Sequence, residues 1–143
     1  RCLSRGLGDV YKRQVLVGEF SLSLLLISKD ANYPWAILVP KRSNIEEIYQ
    51  LSLSDRQALL KESCLLANAL VDIFKPDKLN IATIGNMVPQ LHMHHVCRYQ
   101  TDLSWPKPVW SQTPASTYAA QELEGFKQRL LLELAEDLSH SQH

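Results

Sequence analysis

The stretch QLHMHHVCR at 90–98 carries three of the chain's five histidines, and its reading decides the rest. In an extended strand, side chains alternate between faces, so Gln90, His92 and His94 project together. Leu91, Met93, His95 and Cys97 project from the other face, which is partly apolar and suits a core. A row of one glutamine and two histidines, flanked by apolar residues, is costly to bury without hydrogen-bond partners or a task. Imidazole is the side chain best poised near neutral pH to attack an electrophile or carry a proton. The same row has the H-x-H spacing of a zinc site, but zinc needs a third protein ligand. His95 and Cys97 point away, and Asp102 can serve only if the following loop folds back. A third reading makes these histidines structural and satisfied by hydrogen bonds; for His95 alone it is the preferred one.

Upstream of the row, LNIATIG (79–85) reads as a strand and NMVP (86–89) as a turn. The segment VLVGEFSLSLLLI (15–27) alternates, with Phe20, Leu22, Leu24 and Leu26 on one face and Ser21 and Ser23 on the other. This predicts one half-buried strand. Lys12 and Arg13 ahead of it give a superficial likeness to a signal peptide, but Glu19 interrupts the run and no small-x-small cleavage site follows. SKDANYPW (28–35) has turn punctuation, and AILVP (36–40) reads as a buried strand ended by Pro40. Residues 44–50 suit a short helical turn. A long helix is expected from Ser54, which has capping-box spacing to Gln57. Its apolar stripe would be Leu60, Cys64, Ala67, Leu70 or Val71, and Phe74.

Downstream, DLSWPKPVWSQTP (102–114) has three prolines and two tryptophans and must be irregular. A last helix is expected from about residue 116 to 138, with a stripe of Leu123, Phe126, Leu130, Leu134 and Leu138, before a frayed SHSQH tail. The order β-β-α-β-β-α predicts an α+β fold: an antiparallel sheet with a long helix packed on one face and an additional C-terminal helix.

The 143 residues fit one domain with a real core. Fifteen basic and fifteen acidic side chains cancel, which argues against a partner held by bulk positive charge, whether nucleic acid or anionic membrane. No stretch reaches the roughly 18–20 apolar residues of a membrane span. The balance is uneven. Residues 1–14 hold Arg1, Arg5, Lys12 and Arg13 against Asp9, a net of +3, so 15–143 carries 11 basic and 14 acidic residues, a net of −3. That basic segment lacks periodicity and reads as non-native or disordered. Cys2, Cys64 and Cys97 form no C-x-x-C pair, which suits a reducing cytoplasm.

LVPKR (38–42), the long helix, and N-x-V-P-Q-L-H-M-H-H-V (86–96) together resemble the histidine triad (HIT) family of nucleotide hydrolases and transferases. Q-L-H-x-H followed by D-x-x-W-P-x-P-V-W is similar to a bacterial subgroup of HIT-domain proteins. The resemblance covers roughly residues 15–115, leaving 116–143 as a C-terminal helix and tail. Gln90, His92 and His94 stand in the three positions of the family's H-x-H-x-H. Counting 92, 94 and 96 instead would put Val96 in the third place; 90/92/94 is preferred because His95-Val96-Cys97-Arg98 continues roughly as the family does.

By this resemblance His92 is the nucleophile at an α-phosphorus and forms a nucleotidyl-histidine, with its other ring nitrogen donating to a backbone carbonyl. His94 donates to a phosphate oxygen, and Gln90, which carries no titrating proton, positions the leaving group or the phosphate. No metal or other cofactor is implied. The partners implied are a purine nucleotide or dinucleotide and a second copy in a homodimer. Asn86 resembles a family asparagine near the ribose or phosphates and is otherwise a turn residue. Asp30 either accepts from ribose hydroxyls or closes an Asx-turn. Phe20, Leu26 and Ile37 are base-pocket candidates that suit core packing better. Trp105 and Trp110 either close over a ligand or pack structurally, and Lys41 and Arg42 either attract polyphosphate or stay solvated. Gln90 also prompts a second reading, a nucleotide-binding regulatory module with weak or no catalysis; a small zinc protein is the third.

Overall fold

The structure, a computed structural model, describes residues 13–110 and 113–139. The basic segment read from residues 1–14 therefore lies outside the described residues except at its end, and the tail after Ser139 lies outside them too. Five strands form one antiparallel sheet: β1 (Gln14–Glu19), β2 (Ser23–Ser28), β3 (Trp35–Pro40), β4 (Lys78–Ala82) and β5 (Met93–Arg98), in the order β1-β2-β3-β5-β4. A long helix, α1 (Leu53–Phe74), links β3 to β4, and α2 (Ala120–Glu133) follows the loop after β5. A single 3-10 turn, Ile48–Gln50, occupies the stretch expected to be a helical turn.

The segment expected to be one strand is a hairpin. It breaks between Glu19 and Ser23, and the bend is held by Glu62 of α1, whose carboxylate accepts from the backbone N–H groups of Leu22 and Ser23 at 2.8 and 3.0 Å. The break also changes the faces. Leu24 and Leu26 pack with Ile37 and Val39 on one side of the sheet, while Phe20 and Leu22 join the core on the other. Phe20 is thus removed from the base-pocket candidates. Alternation failed as a guide because β2 is buried along its whole length, so either side tolerates leucine.

The stripe expected on the long helix also shifts. Ser52, not Ser54, caps α1 and accepts from the Asp55 N–H. The buried face is Leu59, Glu62, Ser63, Leu66, Ala69 and Leu70, whereas Leu60, Cys64 and Val71 are exposed. Two polar residues on the true core face hid it from a hydrophobicity reading. Glu62 satisfies the hairpin bend, and Ser63 hydrogen-bonds His95. The helix ends at Lys75, a left-handed C-cap followed by Pro76.

The last helix is shorter than expected, Ala120–Glu133, yet its stripe holds: Phe126, Leu130, Leu134 and Leu138 are buried in the same core as α1 and the sheet, with Leu123 packed against it. Ser139 then hydrogen-bonds Glu19 of β1. The C-terminal helix is part of the one main core.

Candidate functional site

β5 pairs with β3 and β4, placing His94 opposite Ile37 and His95 opposite Ala36. The two adjacent histidines therefore emerge on opposite faces, as strand alternation demands. His95 faces the helices, fully buried. Its Nδ1–H donates to the Met93 carbonyl at 3.2 Å, and its Nε2 accepts from the Ser63 hydroxyl at 2.7 Å. This is the structural arrangement preferred for His95 from the sequence. Cys97 and Leu91 share that core.

His92 and His94 stand on the other face, with ring centroids 5.0 Å apart. The strand is shorter than the 90–98 expected from the sequence: it begins at Met93, so Gln90 and His92 lie in the extended segment leading into it. His92 is half-buried. Its Nδ1 lies 2.6 Å from the Gln90 carbonyl oxygen. A carbonyl only accepts, so Nδ1 carries the proton and Nε2 keeps a free lone pair. The Gln90 side chain is itself buried, and its amide donates to the carbonyls of Pro40 and Arg42 at 3.4 and 3.3 Å. It ties the approach to β5 to the end of β3.

His94 has the reverse tautomer, because of a residue the sequence reading passed over. The Trp35 indole N–H donates to His94 Nδ1 at 2.9 Å. An indole can only donate, so Nδ1 is an acceptor and the ring proton of His94 sits on Nε2. Trp35 and Trp110 meet the His94 ring edge-on, at 5.5 and 5.3 Å between centroids. Burial, followed by the neighbouring His92 and His95, lowers the His94 pKa to about 3. Burial likewise lowers His95 to about 4, against the opposing hydrogen bond to Met93. The sequence places Trp35 at the end of the 28–35 turn; in the structure it is the first residue of β3 and a diagonal neighbour of His94 once β3 and β5 are paired.

The loop after β5 is held by a buried ion pair. Arg98 donates to both oxygens of Asp102, at 2.8 and 3.0 Å, and also to Asn80. The Asp102 carboxylate further accepts from the backbone N–H groups of Tyr99, Ser104 and Trp105. Arg98 above all, and then these amides against the opposing effect of burial, hold its pKa down to about 2. The loop does fold back, as an Asp102 ligand would have required, but to give this carboxylate to Arg98. Among the described residues no three histidine, cysteine or acidic side chains cluster as metal ligands.

The remaining candidates do not gather at the histidines. Trp105 lies over the Arg98 guanidinium at 5.7 Å, whereas Trp110 reaches the site. Asp30 Oδ1 accepts from the N–H groups of Asn32 and Ser116, the Asx-turn arrangement extended to the segment ahead of α2. Asn86 is exposed in the bend before the motif. Lys41 pairs with Glu19, and Arg42 with Asp55. Leu26 and Ile37 are buried on the histidine side of the sheet with Trp35 and Val88 beside them.

A five-stranded antiparallel sheet with a half-exposed imidazole beside a fixed imidazole donor defines a class that the comparisons identify. The HIT domain family model matches residues 11–101, and the chain belongs to that family. It is similar to a solved histidine triad protein from Marinobacter aquaeolei VT8, at 40% identity over 91% of this chain and 95% of that one, with a TM-score of 0.87. It is also similar to histidine triad proteins from Bradyrhizobium japonicum (37%, covering 92% and 95%, TM-score 0.84) and Sinorhizobium meliloti 1021 (32%, covering 89% and 94%, TM-score 0.86). No curated protein matches the chain. The family match begins ahead of β1 and ends inside the loop after β5. No helix among the described residues is long and apolar enough to cross a membrane.

The neutral buried rings have a consequence for stability. In the unfolded chain both titrate near 6.5, but in the folded protein only near 3 and 4. Between these limits the unfolded state binds more protons, so stability is lost as the pH falls below about 6.5 and the loss levels off near pH 3–4. At pH 5 the expected loss is on the order of 1–2 kcal/mol for each ring. Urea midpoints at pH 7 and 5 check this. His95→Asn should reduce the difference, and equal midpoints for the wild type would contradict buried neutral rings.

Proposed function

We propose that this chain is a nucleotide hydrolase or nucleotidyl transferase that works at an α-phosphorus through a nucleotidyl-His92 intermediate. The observation that carries this reading is the opposite tautomers of two neighbouring rings. His92 keeps its Nε2 lone pair, as a nucleophile must, while its Nδ1–H rests on the Gln90 carbonyl. His94 is held with Nε2–H available to donate to a phosphoryl oxygen as charge builds there. Gln90 acts in this scheme as a support for the motif through the carbonyls of Pro40 and Arg42, at and just after the end of β3. Purine nucleotides and dinucleotides are the proposed ligands, as adenosine phosphoramidates, aminoacyl-adenylates or dinucleoside polyphosphates. Asn86, Asp30 and Trp105 are retained as proposed ligand contacts only for a bound state in which their loops approach the histidines. The catalytic unit is proposed as 15–115 and the segment 116–143 as an addition to it, whose Phe126, Leu130, Leu134 and Leu138 complete the core.

A cytoplasmic homodimer is part of the proposal. Its support is the sheet edge at β4, which pairs with no further strand among the described residues and has Ile81 exposed, and the apolar outer stripe of α1: Leu53, Leu60 and Val71, with Leu60 67% exposed. A second copy covering both would form an isologous interface. Sedimentation velocity should return twice the 16.3 kDa chain mass; a monomer at micromolar concentration would remove this part.

A second reading, a regulatory nucleotide-binding module, is favoured by one observation: Gln90 replaces a titratable side chain and is committed to backbone carbonyls. A panel of the three substrate types with AMP release as the readout separates the two. The wild type should turn over at least one. His92→Ala should lose activity by at least about a thousandfold while still binding nucleotide, because no other group supplies the attacking pair. Retained turnover in His92→Ala contradicts the nucleophile assignment. Tight binding without turnover of any panel member, and no gain from Gln90→His, selects the regulatory module.

A further inference from the structure

We propose that Trp35 is a specificity-determining residue: it fixes His94 as a donor that cannot surrender a proton, so the site cleaves substrates whose leaving group departs as a stable anion. This rests on the nucleotidyl-His92 reading and narrows its substrate class to mixed anhydrides of nucleotides, such as acyl-adenylates and dinucleoside polyphosphates, over phosphoramidates.

A general acid must hold a removable proton and return to a stable form after giving it up. An imidazolium does so, but a neutral imidazole does not, because loss of its one N–H would leave an imidazolate. The Trp35 N–H already points at His94 Nδ1 at 2.9 Å, where a second ring proton would have to sit. Making the imidazolium would bring two hydrogens face to face and break the Trp35 bond. The surroundings oppose it as well. His94 is 7% exposed, the Trp35 and Trp110 rings close on it edge-on, and His92 stands 5.0 Å away with His95 across the sheet. Neither ring receives a carboxylate hydrogen bond among the described residues. The other two motif side chains offer no acid either. His92 uses its Nε2 pair on phosphorus and keeps Nδ1–H on the Gln90 carbonyl, and Gln90 is a primary amide.

The balanced steps follow. The His92 Nε2 lone pair forms the N–P bond while the P–O bond to the leaving group breaks, and the bonding pair departs with that oxygen. His94 Nε2–H donates to a nonbridging oxygen throughout and keeps its proton. Water then attacks phosphorus, the P–N bond returns its pair to Nε2, and the water's surplus proton passes to solvent. Because Nδ1 stays protonated, His92 leaves as neutral imidazole. A carboxylate or a phosphate can depart unprotonated, whereas an amine must first be protonated on nitrogen. The site therefore discriminates by the acidity of the leaving group's conjugate acid.

The test measures kcat/KM for AMP esters of phenols of graded acidity, for an acyl-adenylate and for adenosine 5′-phosphoramidate, with mass analysis of adducts on His92. In the wild type kcat/KM should climb with phenol acidity, and the phosphoramidate should fall at least about a hundredfold below the acyl-adenylate, the scale of one missing general acid. Trp35→Gln, whose amide can turn its oxygen toward an Nδ1–H, should narrow that gap as the pH is lowered. Trp35→Phe, which removes the donor and keeps an aromatic ring, should also narrow it and serves if the glutamine variant does not fold. Equal wild-type rates on phosphoramidate and anhydride, or a gap unmoved in a folded Trp35 variant, overturn the proposal while a His92 adduct still upholds the underlying reading. Turnover without any adduct on His92 overturns that reading instead.

Discussion

Every polar side chain that β5 and its approach bury must find a hydrogen-bond partner elsewhere in the chain, and this requirement organises the molecule. His92 takes a carbonyl two residues back, His94 an indole from β3, His95 a hydroxyl from α1, and Arg98 a carboxylate from the following loop. The partners of His94, His95 and Arg98 come from three different elements, so those bonds also fix how the elements sit. The Arg98–Asp102 pair turns the loop back over the sheet, and on that same loop Trp110 reaches the His94 ring. The Ser63–His95 bond registers α1 against β5, and the Glu62 carboxylate registers it against the first hairpin.

The same partners settle which nitrogen of each ring carries its proton. A carbonyl next to Nδ1 makes a donor of it, and an indole N–H next to Nδ1 makes it an acceptor. Two chemically identical side chains 5.0 Å apart thereby become different reagents. The proposed division into nucleophile and phosphate donor depends on nothing more than these two neighbours. Net charge contributes little: with 15 charges of each sign, and Lys41 and Arg42 paired to acidic residues, a polyphosphate would be held by local donors.

Much of this was legible in the sequence. Period-two alternation correctly separated His94 from His95, turn residues marked the 28–35 connection, and the C-terminal stripe pointed to its core side. The motif at 86–96 led to the family that the domain match then established. What the sequence hid has a common cause, polar groups on buried faces. Glu62 and Ser63 sit on the core face of α1, so the apolar stripe at Leu60 and Cys64 looked like the buried one and is the exposed one. The 15–27 run read as a single strand because nothing local announces that a distant carboxylate will cap its bend. Trp35 was invisible as a site residue because its role exists only once β3 lies beside β5.

Hydrogen-bond partners impose opposite tautomers on His92 and His94. Two-dimensional nitrogen-15 NMR of the imidazole rings at pH 7, assigned through His92→Gln and His94→Gln variants, reads those tautomers directly. The His94 proton should sit on Nε2 and the proton of neutral His92 on Nδ1, with His94 unchanged down to about pH 4 and its pattern altered by Trp35→Phe. The same tautomer on both rings, or a His94 that titrates near 6.5, would contradict it.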